Sequence, residues 1–124
     1  MNLSRNFTFE ELTYSRIAVE NGLENVPNPQ ALQALKNLVA DLLQPLRNRY
    51  GSAIAITSGY RNETVNLLAG GVKNSQHTKG EAADCYIAEG PEKLLEVLKE
   101  SGMPFDQAIL YRRKKFLHLS YREG

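Results

Sequence analysis

The stretch Ser75-Gln-His-Thr-Lys-Gly-Glu-Ala-Ala-Asp-Cys-Tyr86, SQHTKGEAADCY, joins a polar turn to a short apolar strand. It places His77, one of only two histidines in the chain, in the turn, and Asp84 inside the apolar run. An ionised carboxylate among apolar neighbours is costly unless it is paired, hydrogen-bonded or bound to a cation. Asp84 therefore indicates that something near this strand compensates a negative charge. Because side chains alternate along a strand, two faces are predicted, one with Ala82, Asp84 and Tyr86 and the other with Ala83, Cys85 and Ile87.

The other strands are predicted from short apolar runs. Residues 107–111 and 116–121 are separated by four basic residues, which indicates a β-hairpin whose second strand carries His118. A run at 53–57 is apolar and partly β-branched, and predicts a further strand. With the strand at about 81–88, these segments are sufficient for a small, mostly antiparallel sheet.

Helices are predicted from caps and from leucine spacing. Thr8 and Glu11 form a capping box, which predicts a helix from about 9 to 20. Asn28 precedes a proline and a long run of leucines at helical spacing, so it begins the main amphipathic helix, whose last turn we expect Pro45 to kink. Helices that flank a largely antiparallel sheet predict an α+β fold. Two further helices are predicted at 62–72, closed by Gly70-Gly71, and from Gly90-Pro91 to about Gly102.

Length and charge limit the classes of function. A chain of 124 residues with 42% hydrophobic content predicts a single domain over 1–124, most simply a monomer. The formal net charge of +1 makes nucleic acid an unsuitable main partner, although the RRKK run at 112–115 is locally basic. No apolar segment approaches the roughly 20 residues that cross a bilayer, so we expect no membrane partner.

The expected compartment follows from the N-terminus and the cysteine count. The segment MNLSRNFTFEEL lacks the basic start, apolar run and small-residue cleavage site of a secretory signal, and one cysteine cannot form an internal disulfide. We therefore expect cytoplasmic synthesis without a signal peptide.

Two imidazoles and one carboxylate are a candidate metal site. His77 can fold back over the end of the strand that carries Asp84, and His118 lies between two leucines in the last strand. Such a set is sufficient for a catalytic zinc ion with an open fourth position. From the residues alone the alternative stays open: strand histidines are commonly satisfied core or surface groups, and a buried aspartate commonly accepts from backbone amides or an arginine.

The order of several motifs resembles a known family. The segments SGYRNETVN (58–66), GGVKNSQHTKGEAAD (70–84), FDQAIL (105–110) and FLHLSY (116–121) resemble the zinc D-alanyl-D-alanine carboxypeptidases, which have the hedgehog-type DD-peptidase fold. NFTFEELTYS and LLQPLRNRYG are similar to the compact phage- and prophage-associated branch. The family pattern Ser-x-His-x-x-Gly-x-Ala-x-Asp is matched by Ser75, His77, Gly80, Ala82 and Asp84.

The resemblance implies a Zn²⁺-dependent metallopeptidase that hydrolyses peptide bonds in the stem peptides of peptidoglycan. It implies that His77, Asp84 and His118 bind zinc, and that Arg61 of the SGYR segment approaches the substrate near the metal. A carboxypeptidase acting on D-Ala-D-Ala and an endopeptidase acting on an L-Ala to D-amino-acid bond both fit. A prophage-type enzyme of this kind would be released to the cell wall at lysis.

Three further residues are candidate substrate contacts, each with a structural alternative. Ser75 and Gln76 either line the groove or order the metal turn. Tyr60 either forms a wall of the groove or packs in the core.

One departure from the family concerns the general base. Many members carry an acidic residue three positions before the last histidine ligand, and here that position is Lys115. Asp106 is the remaining candidate base, although it starts the neighbouring strand far from the ligand. The departure keeps a second hypothesis open, a noncatalytic zinc-containing module that binds the cell wall or a partner. The RRKK turn is read as a solvated hairpin tip or as a contact to anionic cell-wall polymer.

Overall fold

A four-stranded antiparallel sheet lies at the centre of the computed structural model, which describes residues 1–123 of the chain. The strand order is β1-β2-β4-β3, and each of the three pairings is antiparallel. The hairpin and the α+β class predicted from the sequence are thereby confirmed. The strands are β1 Ala55–Ser58, β2 Ala82–Tyr86, β3 Gln107–Tyr111 and β4 Phe116–Ser120.

The register of the sheet aligns one residue from each strand in a single row. Asp84 is opposite Ser58 on one side and opposite His118 on the other. His118 is in turn opposite Ile109. Since paired residues project to the same face, the four side chains of this row lie side by side across the sheet.

Helices cover the other face of the sheet. Cys85, Leu117 and Leu119 are fully buried there and pack with the leucines of the main helix. Among the described residues, no helix is both long and apolar enough to cross a membrane. The helices are α1 Phe9–Thr13, α2 Arg16–Glu20, α3 Pro29–Leu38, α4 Gln44–Tyr50, α5 Glu63–Leu68 and α6 Pro91–Ser101, with a π-helical turn at Val39–Leu43 and a 3₁₀ turn at Gln76–Lys79.

The predicted single helix from about 9 to 20 was wrong, because the chain breaks between α1 and α2. Tyr14 is extended, and the Ser15 side chain accepts from the backbone N–H of Ala18 to start the second helix. The carbonyl of Thr13, which a continuous helix would use internally, accepts instead from the side-chain amide of Asn25 at 2.8 Å. These two side-chain bonds replace the backbone bonds that a continuous helix would have made.

Pro45 is accommodated by the π-helical turn that joins α3 to α4. The backbone N–H of Gln44 donates to the carbonyl of Val39, five residues earlier, and Pro45 then occupies the first turn of α4. A proline removes one donor of an α-helical ladder, and a widened turn before it lets the helix resume. The expected disturbance thus lies one turn earlier than the sequence indicated.

Gly80 is the point at which the 3₁₀ turn rests on α3. Its φ of +75° lies in the left-handed region, and a Cβ at this position would meet the carbonyl oxygen of Ala31 at 2.2 Å. Only glycine satisfies both requirements. The contact fixes the turn that carries His77 against the main helix.

Gly80→Ala should destabilise the protein more than Gly102→Ala does. Gly102 also has a positive φ, +72°, but nothing lies within 4 Å of an added Cβ, so its substitution should cost only about 1 to 2 kcal/mol of strain. Gly80→Ala adds a backbone clash and should cost roughly 3 kcal/mol or more. Urea unfolding of both variants would measure this difference, and equal losses would contradict the close approach.

Candidate metal centre and groove

Three potential ligands converge on the open face of the sheet. His77 comes from the 3₁₀ turn, Asp84 from β2 and His118 from β4, and one ligand atom from each lies within 4.8 Å of the other two. The Oδ1 atom of Asp84 is 2.9 Å from Nδ1 of His118 and 3.3 Å from Nε2 of His77. His77 and Asp84 are buried, and His118 is partly buried. The three residues form a group that could hold a metal ion.

The orientation of His77 is set by a backbone carbonyl. Its Nδ1 lies 2.7 Å from the carbonyl oxygen of Gly59, and because a carbonyl only accepts, Nδ1 must carry the proton. Nε2 of the neutral ring is then an unprotonated acceptor that faces Asp84. A second partner that fixes the tautomer in this way is typical of histidine metal ligands.

Gly59 can take this position because it has no side chain. An added Cβ would meet the carbonyl oxygen of Leu12 in α1 at 2.2 Å. The next residue, Tyr60, donates its backbone N–H to the same oxygen at 2.7 Å. The short first helix therefore supports the carbonyl that orients His77.

The donor set fits a cation. Nε2 of neutral His77 and Oδ1 of Asp84 are both acceptors at 3.3 Å, and such a pair is favourable only when a proton or a metal ion lies between them. Two imidazoles with one carboxylate, and no thiolate, are ligands that zinc accepts in catalytic sites. The residues present therefore fit the metal that the sequence resemblance implies.

The Asp84 carboxylate is held in its charged form. Burial acts to raise the pKa of this carboxyl, but the two neighbouring imidazoles favour its charged form, outweigh burial and lower the pKa to about 2. An ionised oxygen is thus available as a ligand at neutral pH.

Cys85 is excluded from the site. It points to the core face, is fully buried, and burial together with the neighbouring Asp84 charge raises the pKa of its thiol. A protonated, inaccessible thiol is neither a zinc ligand nor a nucleophile.

Arg61 lies beside the ligands with part of its guanidinium unused. Its backbone N–H donates to the carbonyl of His77 at 3.1 Å, and Nη1 is 3.4 Å from Oγ of Ser58. The Nε atom is buried and has no hydrogen-bond partner among the described residues. Burial lowers the pKa of Arg61, whereas the Asp84 charge raises it. A partly buried guanidinium without a carboxylate of its own is suited to bind one from a ligand.

Ser75 and Gln76 order the turn and also line the groove. Oγ of Ser75 accepts from the backbone N–H of His77 at 3.2 Å. The side-chain amide of Gln76 donates to Oδ2 of Asp106 at 2.8 Å and to Oε1 of Glu81 at 3.3 Å. One amide therefore links the His77 turn to the start of β2 and to the residue before β3.

Two candidates from the sequence lie outside the groove. Tyr60 is 5% exposed and belongs to the hydrophobic core, so its location is that of a packing residue and not of a groove wall. Asp106 does not line the groove, and its carboxylate accepts from Gln76 and from the hydroxyl of Ser120 at 3.4 Å. Neither residue lines the groove in front of the metal ligands.

The groove in front of the ligands has a volume of about 510 Å³. One wall is the loop after α5, and the other is the β3-β4 hairpin. Among its lining residues the only carboxylate is Asp84. The hairpin wall was not predicted from the sequence. It could have been predicted from the hairpin register, which places Ile109 opposite His118 and therefore on the same face of the sheet. Lys114 of the RRKK turn, for which the sequence left a contact to cell-wall polymer open, also lines the groove. The wall residues not predicted are Ala69, Gly70, Gly71, Val72, Asn74, Gln107, Ile109, Tyr111 and Phe116.

Lys115 does not occupy the position of a general base. It has a φ of +59° in the hairpin turn, is exposed, and does not line the groove. Its neighbour Lys114 lines the groove instead. The position three residues before His118 therefore holds an exposed turn residue in the left-handed conformation, outside the groove.

Comparison with known families agrees with this arrangement. A search of curated proteins finds no significant match. The family model described as Peptidase M15 matches residues 5–120, a range that contains all four strands, the SGYR turn and the three potential ligands. Because this match covers nearly the whole chain, the protein belongs to the Peptidase M15 family.

Proposed function

We propose that this chain is a zinc-dependent metallopeptidase that hydrolyses peptide bonds in the stem peptides of peptidoglycan. Family membership supports a metallopeptidase of cell-wall peptides. The observation that carries the proposal is the group of His77, Asp84 and His118, in which two acceptors face each other at 3.3 Å at the floor of an open groove. Residues 1–124 would act as one peptidase unit, reaching the wall after release at lysis.

The proposed roles follow from the contacts in the groove. His77 through Nε2, Asp84 through Oδ1 and His118 through Nδ1 would hold zinc, because these are the atoms that face one another. When bound, zinc supplies Lewis-acid polarisation of the scissile carbonyl and an acidified water. The ligands themselves are kept in place by Gly59 and by the strand register.

Arg61 would stabilise negative charge next to the scissile bond. Its guanidinium is partly buried beside the ligands, lines the groove and forms no ion pair among the described residues, so a substrate carboxylate or the oxyanion of the reaction can take donors of its Nη atoms. The carboxylate would be the C-terminus of a D-Ala-D-Ala peptide, and the oxyanion would form in either a carboxypeptidase or an endopeptidase reaction.

A noncatalytic zinc-containing module for wall or partner binding is the second candidate function. It is favoured by one observation: among residues 1–123, no carboxylate except that of Asp84 lines the groove, so none of these residues supplies an acidic general base there. Hydrolysis separates the two candidates, since a binding module would retain zinc and bind muropeptides without cleaving them.

Asp84→Asn should abolish the chelator-sensitive hydrolysis of purified muropeptides by the zinc-loaded protein. Removal of a charged ligand should cost more than the roughly 10- to 100-fold that loss of an outer-shell partner costs. Glu100→Gln, a matched carboxylate-to-amide change at an exposed position of α6, should leave the rate unchanged. Product analysis by mass spectrometry would also identify the bond that is cut. Zinc-loaded wild type that binds but does not cleave would favour the noncatalytic module.

Arg61→Met should lower kcat/KM by about 10²- to 10³-fold, the cost of removing an oxyanion donor. Arg61→Lys should recover part of the loss, because it restores the charge without the fork of donors. Stability should change little, since the guanidinium has only one long bond, to Ser58. Arg16→Met on exposed α2 is the control. Arg61→Met with wild-type kinetics would remove Arg61 from the reaction.

A further inference from the structure

The groove has an excess of positive charge. Within the part of the chain that the structure describes, Arg61 and Lys114 are the lysine and arginine side chains that line the groove, and Asp84, which faces two imidazoles, is the one acidic residue that lines it. Among residues 1–123, neither cation forms an ion pair with an acidic side chain. Two unpartnered cations in one groove attract a ligand that carries more than one negative charge.

The two cations lie at opposite sides of the row of ligands. Arg61 follows β1 and contacts Ser58, the β1 member of the row. Lys114 belongs to the turn between β3 and β4, four residues before His118. At 3.3 to 3.6 Å per residue, its Cα is at most about 14 Å from that of His118. An extended peptide covers this distance in about four residues, so a peptide bound at the ligands reaches the Lys114 position within about four residues.

The hairpin turn separates its four basic residues. Arg112 is directed to Glu92 of α6, with its Nε 3.8 Å from Oε2. Lys115, in the left-handed conformation, is exposed and does not line the groove. Lys114 alone among the four residues lines it. The RRKK run at 112–115 thus contributes one positive charge to the groove, that of Lys114.

The base of the turn is held by aromatic stacking. Tyr111 and Phe116 are paired across the hairpin, with ring centroids 4.6 Å apart and an interplanar angle of 23°. Both also line the groove. This pair stabilises the hairpin next to the turn and gives an apolar surface between the ligand row and Lys114.

We propose that Lys114 binds a second carboxylate of the substrate, so that the groove selects acidic peptides with a free carboxylate within about four residues of the bond that is cut. This substrate class rests on the proposed peptidase function. Arg61 stabilises charge at the reacting end, and Lys114 holds the acidic side chain or carboxyl group farther along. Because Lys114 is away from the ligands, it contributes to binding and not to the chemical step.

A pair of muropeptides that differ only in one acidic residue tests this proposal. The residue carries a free carboxylate in one peptide and an amide in the other. Wild-type protein should prefer the carboxylate by roughly 2- to 5-fold in kcat/KM, mainly through KM, as expected for one exposed charge pair. The preference should weaken with added salt, since exposed charges are screened.

The variants isolate Lys114 from the rest of the turn. Lys114→Gln should remove the preference while kcat stays near the wild-type value, and Lys114→Arg should retain the preference. Lys115→Gln removes the same charge one residue away, outside the groove, and should retain it as well. A preference that survives in Lys114→Gln, or that is lost equally in Lys115→Gln, would overturn the proposal.

Failure of the underlying function can be recognised separately. If zinc-loaded wild type cleaves neither peptide, the peptidase function fails. Calorimetry with the same two peptides still tests whether Lys114 binds the second carboxylate. The wild type should bind the carboxylate peptide more tightly than the amide peptide, whereas Lys114→Gln should bind the two peptides equally. Equal binding of both peptides to the wild type would refute the role of Lys114.

Discussion

The Oδ1 atom of Asp84 faces two imidazole nitrogens, at 2.9 and 3.3 Å, and most features of the open face depend on this arrangement. It requires β2 and β4 to pair in one register, since a shift by one residue would turn Asp84 or His118 towards the core. It also requires the 3₁₀ turn to return His77 over the end of β2. Gly80 and Gly59 permit that return because each lies against a backbone carbonyl where no side chain fits.

The parts of the site that come from local sequence could be predicted. His77 and Asp84 lie in one short segment, and strand alternation assigned Asp84 and Cys85 to opposite faces, as observed. The leucines on either side of His118 indicated that they face the core and that His118 faces the opposite side of the sheet, the side of Asp84. These inferences succeeded because a two-residue period determines which way each side chain points.

The parts that depend on distant contacts could not be predicted. The Gly59 carbonyl orients His77 from 18 residues away in the sequence. The Gln76 amide donates to Asp106, which is 30 residues away. Tyr60 follows a strand end, where alternation no longer applies, and it packs in the core. The break between α1 and α2 depends on Asn25, which lies outside both helices. In each case a side chain or carbonyl is satisfied by a partner that sequence spacing does not reveal.

The proposed chemistry requires a metal ion bound by two imidazoles and one carboxylate. Zinc K-edge X-ray absorption of the zinc-loaded protein, with metal content by elemental analysis, tests this most directly. We expect about one zinc per chain, with two imidazole ligands, oxygen in the remaining positions, and no sulfur, since Cys85 faces the core. A sulfur ligand, or no zinc under zinc-replete conditions, would contradict the assignment of His77, Asp84 and His118.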